Sequence, residues 1–299
     1  MKKIILYGST GMLGSDCKEV LQKEFKLITP THRELDITRW DDTIEHMGKN
    51  RPHIILNCAA FTDVDACEDK SQYKRLDKIN VEGPRNLAQG SARFECKIIH
   101  ISSDYIFSGK KEVPQPYFED DSPRPISTYG MMKMESEAAI RDNAPDYIII
   151  RTGWLYGING NNFIKKILKK VIGEGAKSIR VVEDQYGSPT WTYRLALQIR
   201  ELIKNDARGT YHATSEGYCS RIEYATFILD KLNIDAEIEP IKLRDLNLPA
   251  KRPANCILEN RLLKKQGINI MTDWKRDLET FLDRYGERLI EEAKKEIAK

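Results

Sequence analysis

The feature that most constrains this chain lies within its first fourteen residues. Lys3-Ile4-Ile5-Leu6-Tyr7 is a short apolar run, and Gly8-Ser9-Thr10-Gly11-Met12-Leu13-Gly14 follows it directly. An apolar run of this length without polar alternation suits a strand buried on both faces. The glycines then open a segment of helical pattern from Met12 to about Glu24. A turn without Cβ atoms lets the backbone approach a pyrophosphate closely. The helix start beyond it offers unpaired N–H groups and the positive end of a dipole. Three glycines alone say little. Their place between a buried strand and a helix points to a dinucleotide site at Gly8, Gly11 and Gly14.

The first half continues in the same alternation. Leu27–Thr29, His53–Ala60, Lys97–Ser102 and Tyr147–Thr152 read as strands, and Trp40–Met47, Ile79–Arg93 and Met131–Arg141 as helices. Strand and helix alternating at this length predict α/β architecture with a doubly wound parallel sheet of Rossmann type. The second half is less regular. Helices are expected over Phe163–Val171 and Ser220–Leu232, and strands over Ile179–Glu183, Thr210–Ala213 and Ala236–Ile241. Trp274, Leu278, Phe281, Leu282, Leu289 and Ala293 recur at helical spacing. The division expected is a dinucleotide-binding domain over 1–157, completed by strands within 177–215, and a smaller, mainly substrate-binding part over 158–299.

Composition excludes several classes. Forty-eight basic against forty-five acidic residues leave a net charge of +3, which carries no bulk nucleic-acid footprint. No apolar stretch approaches the length of a membrane span, and the N-terminal run is too short for a signal peptide. Six irregularly spaced cysteines form no CxxC pair and fit free thiols in the cytoplasm. Five scattered histidines suggest no zinc-type cluster, so no metal ligands are assigned.

Two further segments point at the same crevice, because ligands in open α/β sheets sit at the carboxyl ends of strands. Asn57-Cys58-Ala59-Ala60 ends one strand, and its small Ala59 and Ala60 would let a cofactor pass close. Asp36-Ile37 lies beside the expected adenine position, although Asp36 is equally suited to cap a helix. Adenosine ribose hydroxyls are often held by a carboxylate about 20 residues beyond the glycines. Here Thr29-Pro30-Thr31-His32-Arg33 carries none. Arg33 would instead suit a 2′-phosphate. The expected cofactor is NADPH, with NADH also admissible.

The catalytic pattern lies further on. Ser102-Ser103-Asp104 ends the strand that begins at Lys97, and Tyr129-Gly130-Met131-Met132-Lys133 opens a helix. Residues i and i+4 share a helix face, so Lys133 stands one turn from Tyr129. The order carries more weight than the spacing: glycine loop, strand ending in serines, then Tyr-x-x-x-Lys. Ketone reduction needs a hydride and a proton. The phenol would supply the proton, a nearby ammonium would lower its pKa, and Ser103 would hydrogen-bond the carbonyl.

These residues resemble the extended short-chain dehydrogenase/reductases, and within them the dTDP-4-dehydrorhamnose reductase family. The resemblance rests most specifically on Ser103-Asp104-Tyr105-Ile106-Phe107 and Asp184-Gln185-Tyr186-Gly187-Ser188-Pro189-Thr190. Arg151-Thr152-Gly153-Trp154 and Arg252-Pro253 add to it. It implies Tyr129 as proton donor, Lys133 as its electrostatic partner and Ser103 as a tuning hydroxyl. Gly11, Met12, Leu13, Asp36, Ile37, Ala60, Phe61 and Thr62 would line the cofactor, with Tyr129 and Lys133 reaching it. Ser103, Asp104 and Trp154 would meet the sugar, and Arg252 the substrate's diphosphate. Ser103, Ser108 and Met132 stand where the family usually has Thr, Asp and Ser, which leaves the exact sugar open. The partner implied is a nucleotide-linked 4-keto-6-deoxy sugar. Other reductases, epimerases or dehydratases of nucleotide sugars, and a non-catalytic NADP-binding regulatory subunit, share much of this pattern. Some members form homodimers around Mg2+, for which Glu291 and Glu292 are the candidates, against a solvated helix face.

Overall fold

Ile4, Ile5 and Leu6 are fully buried in the computed structural model of the protein, which describes residues 1–295. Residues 296–299, the end of the part expected over 158–299, lie outside the described residues. The elements are β1 (Lys3–Tyr7), α1 (Met12–Leu21), β2 (Lys26–Ile28), α2 (Trp40–Asn50), β3 (Ile54–Asn57), α3 (Tyr73–Asp77), α4 (Gly83–Arg93), β4 (Lys97–Ser103), α5 (Thr128–Asn143) and β5 (Tyr147–Thr152). They continue with β6 (Leu155–Tyr156), α6 (Phe163–Leu168), β7 (Ser178–Val182), β8 (Tyr186–Gly187), β9 (Thr190–Trp191), α7 (Thr192–Lys204), β10 (Gly209–His212), β11 (Cys219–Ser220), α8 (Arg221–Lys231), β12 (Glu237–Ile241), α9 (Arg261–Lys265) and α10 (Trp274–Lys295).

The main sheet runs β2-β1-β3-β4-β5-β10, and each neighbouring pair is parallel. From β1 the chain steps out to β2 and then crosses back to β3 on the other side of β1. That reversal opens a crevice at the carboxyl ends of β1 and β3, where this architecture places ligands. Both faces of the sheet are covered. One core joins Ile4, Leu6, Ile54 and Ile150 to α1 and α7, and another joins Ile5, Ile55, Ile98 and Ile149 to α2, α4 and α5. Burial on both sides is why these strands are built around consecutive isoleucines and leucines.

Of the two strands expected between 177 and 215, β10 joins the main sheet beside β5. β7 instead pairs with β12 in a separate two-stranded sheet. A third core, around Tyr156, Ile164, Ile228, Trp274 and Phe281, lies beneath α6, α8 and α10. The sequence reading did not anticipate α7. Its start carries no capping side chain, but Leu195, Ile199, Leu202 and Ile203 form the spacing of a buried helix face.

Candidate active site

The glycine loop is held by close packing. Gly8 has φ +76°, and a Cβ there would lie 2.6 Å from the Ala59 nitrogen; at Gly14 it would lie 2.0 Å from the Gly8 oxygen. Both positions therefore exclude a side chain. Gly11 differs, since a Cβ there would meet only the Gly8 oxygen, at 3.3 Å. It is the N-cap of α1, without a capping side chain and without an acidic residue in the first turn. A helix start of this kind presents its N–H groups to an anion.

Two cavities meet here. One, of about 290 Å³, is lined by Gly8, Gly11, His32, Asp36, Ile37 and Phe61. The other, of about 380 Å³, runs past Met12, Leu13, Gly14 and Thr62 to Ser103, Asp104, Tyr129, Lys133 and Trp154. Gly11, Cys58, Ala59 and Ala60 line both, so they form one crevice. The residues fit a dinucleotide: bare backbone and a helix start lie where the two cavities join, and the second cavity ends at Ser103, Tyr129 and Lys133.

Asn80 holds Phe61, which lines the first cavity. Buried in a π-turn between α3 and α4, it accepts from the Phe61 N–H at 2.8 Å and donates to the Phe61 carbonyl at 3.0 Å. A polar residue in the otherwise apolar Ile79-Asn80-Val81 was the available signal.

Ser103 ends β4, and its hydroxyl donates to Asp104 Oδ1 at 2.9 Å while accepting from the Tyr105 N–H at 3.1 Å. Tyr129 and Lys133 lie one turn apart at the start of α5, which Ser127 caps through the Gly130 N–H at 3.2 Å. Gly130 follows Tyr129 because a Cβ there would lie 2.3 Å from the Tyr105 carbonyl oxygen. Tyr105 packs edge-on against Tyr129, with ring centroids 5.8 Å apart.

The electrostatics depart from the spacing argument. From the i, i+4 spacing alone, Lys133 is expected to lower the pKa of the phenol. Instead burial, and next the Asp104 carboxylate, push Tyr129 up, while the Ser103 hydroxyl opposes them. The Lys133 amine donates to the Ile101 carbonyl at 2.7 Å and lies 3.3 Å from His100 Nε2. Burial brings Lys133 down to about 8, although Glu137 and Cys58 act in the other direction. A raised pKa keeps Tyr129 protonated near neutral pH, the form a proton donor needs. Burial likewise raises Asp104 to about 6, against hydrogen bonds from Ser103 and Cys256 and the charge of Arg221.

Trp154 is held in a left-handed conformation, φ +48°, which is strained for so bulky a residue. Small residues make room around it. A Cβ at Gly187 would lie 2.5 Å from its ring, and one at Gly153 would lie 2.3 Å from Asp104 Oδ2. The Arg221 guanidinium covers the Trp154 ring at 3.4 Å, and its Nε donates to Gln185 at 3.1 Å. The sequence reading did not single out Arg221. The capping box Ser220–Glu223 that sets the start of α8 was the signal that would have placed it.

Two expected residues, Arg33 and Arg252, lie outside the crevice, whereas Asp36 lines its first cavity without capping a helix. Arg33 is exposed and lines neither cavity, whereas His32 beside it lines the first. Asp36 does not cap α2; its Oδ1 accepts from the Thr38 N–H at 2.9 Å, in the turn before the helix. Arg252 lines a third cavity, of about 420 Å³, together with Asp184, Leu246 and Lys251, and is paired with Asp65. Among the described residues of one chain nothing supports the Mg2+ reading. Glu292 is paired within the chain to Lys165 and Arg288, both at 2.9 Å. Among the described residues, no group of three or more His, Cys, Asp or Glu is placed to hold a metal ion. No described helix is long and apolar enough to cross a membrane.

The glycine loop at a switch point and the Ser–Tyr–Lys group beside it mark a class of protein, the NAD(P)H-dependent oxidoreductases, and this chain is one. It belongs to the RmlD substrate binding domain family, whose model matches residues 1–287. The chain is 36% identical over 286 residues to the spore coat polysaccharide biosynthesis protein SpsK of Bacillus subtilis, covering 94% of this chain and 97% of that one. It is 32% identical over 282 residues to a dTDP-4-dehydrorhamnose reductase of Mycolicibacterium smegmatis, covering 93% and 84%. Among solved structures, the dTDP-4-dehydrorhamnose reductase of Bacillus anthracis in complex with NADP superimposes with TM-score 0.90 at 34% identity, covering 95% of this chain and 99% of that one. A UDP-glucose 4-epimerase of Thermus thermophilus, at 15% identity and TM-score 0.80, shares the fold.

Proposed function

We propose that the protein reduces the 4-keto group of a nucleotide-linked 6-deoxy sugar with NADPH, in particular dTDP-4-dehydro-L-rhamnose to dTDP-L-rhamnose. The observation that carries this reading is the meeting of Ser103, Tyr129 and Lys133 in a cavity continuous with the glycine loop. The family and its reductase relatives support it.

The reduced nicotinamide, when bound, supplies the hydride. Gly11, Met12 and Leu13 would hold its phosphates on the helix start, and Ala59, Ala60, Phe61 and Thr62 would flank it. Asp36 and Ile37 would border the adenine, with Arg33 near its ribose. Tyr129 donates its phenolic proton to the carbonyl oxygen as that oxygen gains the electron pair of the C=O bond. Ser103 donates a hydrogen bond to the same oxygen and stabilises its developing charge. Lys133 offsets the negative charge left on Tyr129. Asp104 and Trp154 orient the sugar, and Arg252 serves the diphosphate.

The test incubates the protein with NADPH and a panel of nucleotide 4-keto-6-deoxy sugars, following loss of reduced cofactor and identifying the product. Turnover with the dTDP-linked sugar is expected. Cofactor binding without turnover of any panel member would point to a regulatory subunit, and an isomerised or dehydrated product without net oxidation of cofactor to an epimerase or dehydratase.

A further inference from the structure

Behind Lys133 lies a hydrogen-bonded chain that the reaction above does not use. Asn57 ends β3, His100 stands in β4 and Ser136 lies on α5; at most 1% of each is exposed. The Ala59 N–H donates to Asn57 Oδ1 at 3.1 Å. That contact fixes the amide, so Asn57 Nδ2 is the atom that faces His100 Nδ1, at 3.1 Å. An amide nitrogen only donates, so Nδ1 must accept, and the neutral imidazole carries its proton on Nε2. Ser136 Oγ lies 3.0 Å from Nε2 and donates to the Lys133 carbonyl at 2.7 Å, which leaves Oγ to accept the Nε2–H. The Lys133 amine lies 3.3 Å from the same Nε2–H.

We propose that His100 is a positioning residue for Lys133: the Ala59–Asn57–His100–Ser136 chain locks one tautomer of the imidazole and holds its N–H against the lysine amine. A donor in that place favours the neutral amine over the ammonium. The link also runs from the cofactor loop, at Ala59, to the amine at the catalytic end of the crevice. The groups facing the amine are His100 and the Ile101 carbonyl from β4, Cys58 beyond β3 and Glu137 on α5, while Tyr129 lines the same cavity. Glu137 is held by Arg151 at 2.9 Å and Arg141 at 3.1 Å, so its charge is already shared. Burial keeps His100 well below the usual histidine range, with Lys133 adding to the effect, so the imidazole stays neutral through the range in which Lys133 titrates.

The proposal rests on the reading of Lys133 as partner of the proton donor. Its test therefore reads the lysine directly and turnover separately. The Lys133 titration is followed by its carbon-13 ε resonance in lysine-labelled protein, assigned by comparison with Lys133→Met. His100→Leu removes the donor, and the Lys133 pKa is expected to rise by about half to one unit. His100→Gln restores a donor near Nε2, and the pKa is expected to move back. Ser136→Ala removes the competing acceptor, leaves the Nε2–H to the amine, and should lower the pKa. In turnover, the alkaline limb of the kcat–pH profile should move up with the Lys133 pKa in His100→Leu, with substrate KM within about twofold. A Lys133 titration unmoved by His100→Leu and Ser136→Ala overturns the proposal, whatever the turnover assay gives. Should His100→Leu fail to fold, the downward shift in Ser136→Ala decides alone. A wild-type chain that turns over no substrate yet shows these opposite shifts would overturn the reductase reading and leave the positioning role standing.

Discussion

Arg252 meets Asp65 with both terminal nitrogens, Nη1 to Oδ1 at 3.0 Å and Nη2 to Oδ2 at 2.5 Å. Asp65 lies in the loop beyond β3 and also accepts from the Ala250 N–H at 3.1 Å, so this pair ties the 246–253 loop to the dinucleotide-binding side. Arg252 thus has a partner within the chain besides any diphosphate. Removing it should raise substrate KM by roughly 1.5–3 kcal/mol, or about 10–150-fold, with kcat falling less. Asp65→Asn, which spares the guanidinium, should raise KM less. Steady-state kinetics of both variants check this. Equal effects would make Arg252 a loop anchor only.

Tyr129→Phe keeps the ring and its edge-on contact with Tyr105 but removes the proton. General acid groups typically contribute about 10²–10⁴-fold, so kcat should fall by that order while NADPH affinity holds. A variant retaining half the wild-type kcat would remove Tyr129 from the mechanism.

The last two glycines of the loop should separate packing from ligand binding. Gly14→Ala places a Cβ 2.0 Å from the Gly8 oxygen and should destabilise the fold by about 1–3 kcal/mol. Gly11→Ala meets only one atom, at 3.3 Å, so the fold should hold while NADPH affinity drops, because the new methyl group borders both cavities. Thermal melts paired with cofactor titration report the two outcomes.

NADPH should bind more tightly than NADH, and Arg33→Ala should narrow the gap. Since Arg33 is exposed, water and salt weaken its contact, and the narrowing should be about 1 kcal/mol, or about fivefold. Equal affinities for the two cofactors in the wild type would sink the assignment.

Asp104 gives stability a pH dependence of definite sign. Its carboxyl titrates at about 6 in the folded chain, against an ordinary value near 4. Between these values the folded state holds a proton that the unfolded state has released. Its contribution to stability is therefore complete below about pH 4 and is lost as pH rises through about 6. Asp104→Asn should flatten that part of the profile and stabilise the chain at neutral pH by roughly 1–3 kcal/mol. Asp16, which burial also raises to about 6, should keep a remainder of the slope. Denaturant unfolding of both proteins across this range decides it.

The sequence by itself determined what neighbours along the chain control. β1 and β5 were legible because strands buried on both faces are built around apolar runs, here Ile4-Ile5-Leu6 and Ile148-Ile149-Ile150. The glycine loop was legible because its conformational demand lies in the residues themselves. Tyr129 and Lys133 were legible because i and i+4 share a helix face. Only the tertiary structure decided who meets whom at the strand ends. Asn80 and Phe61 are 19 residues apart, His100 and Lys133 are 33, and Asp65 and Arg252 are 187. No local pattern encodes such pairs, since they follow from the order in which the strands assemble. Burial does the same to charge: it raises Tyr129 and Asp104 and lowers Lys133, reversing the simple expectation that the lysine would pull the phenol down. The cost of removing a charge from water is set by the whole surrounding fold, which no stretch of sequence contains.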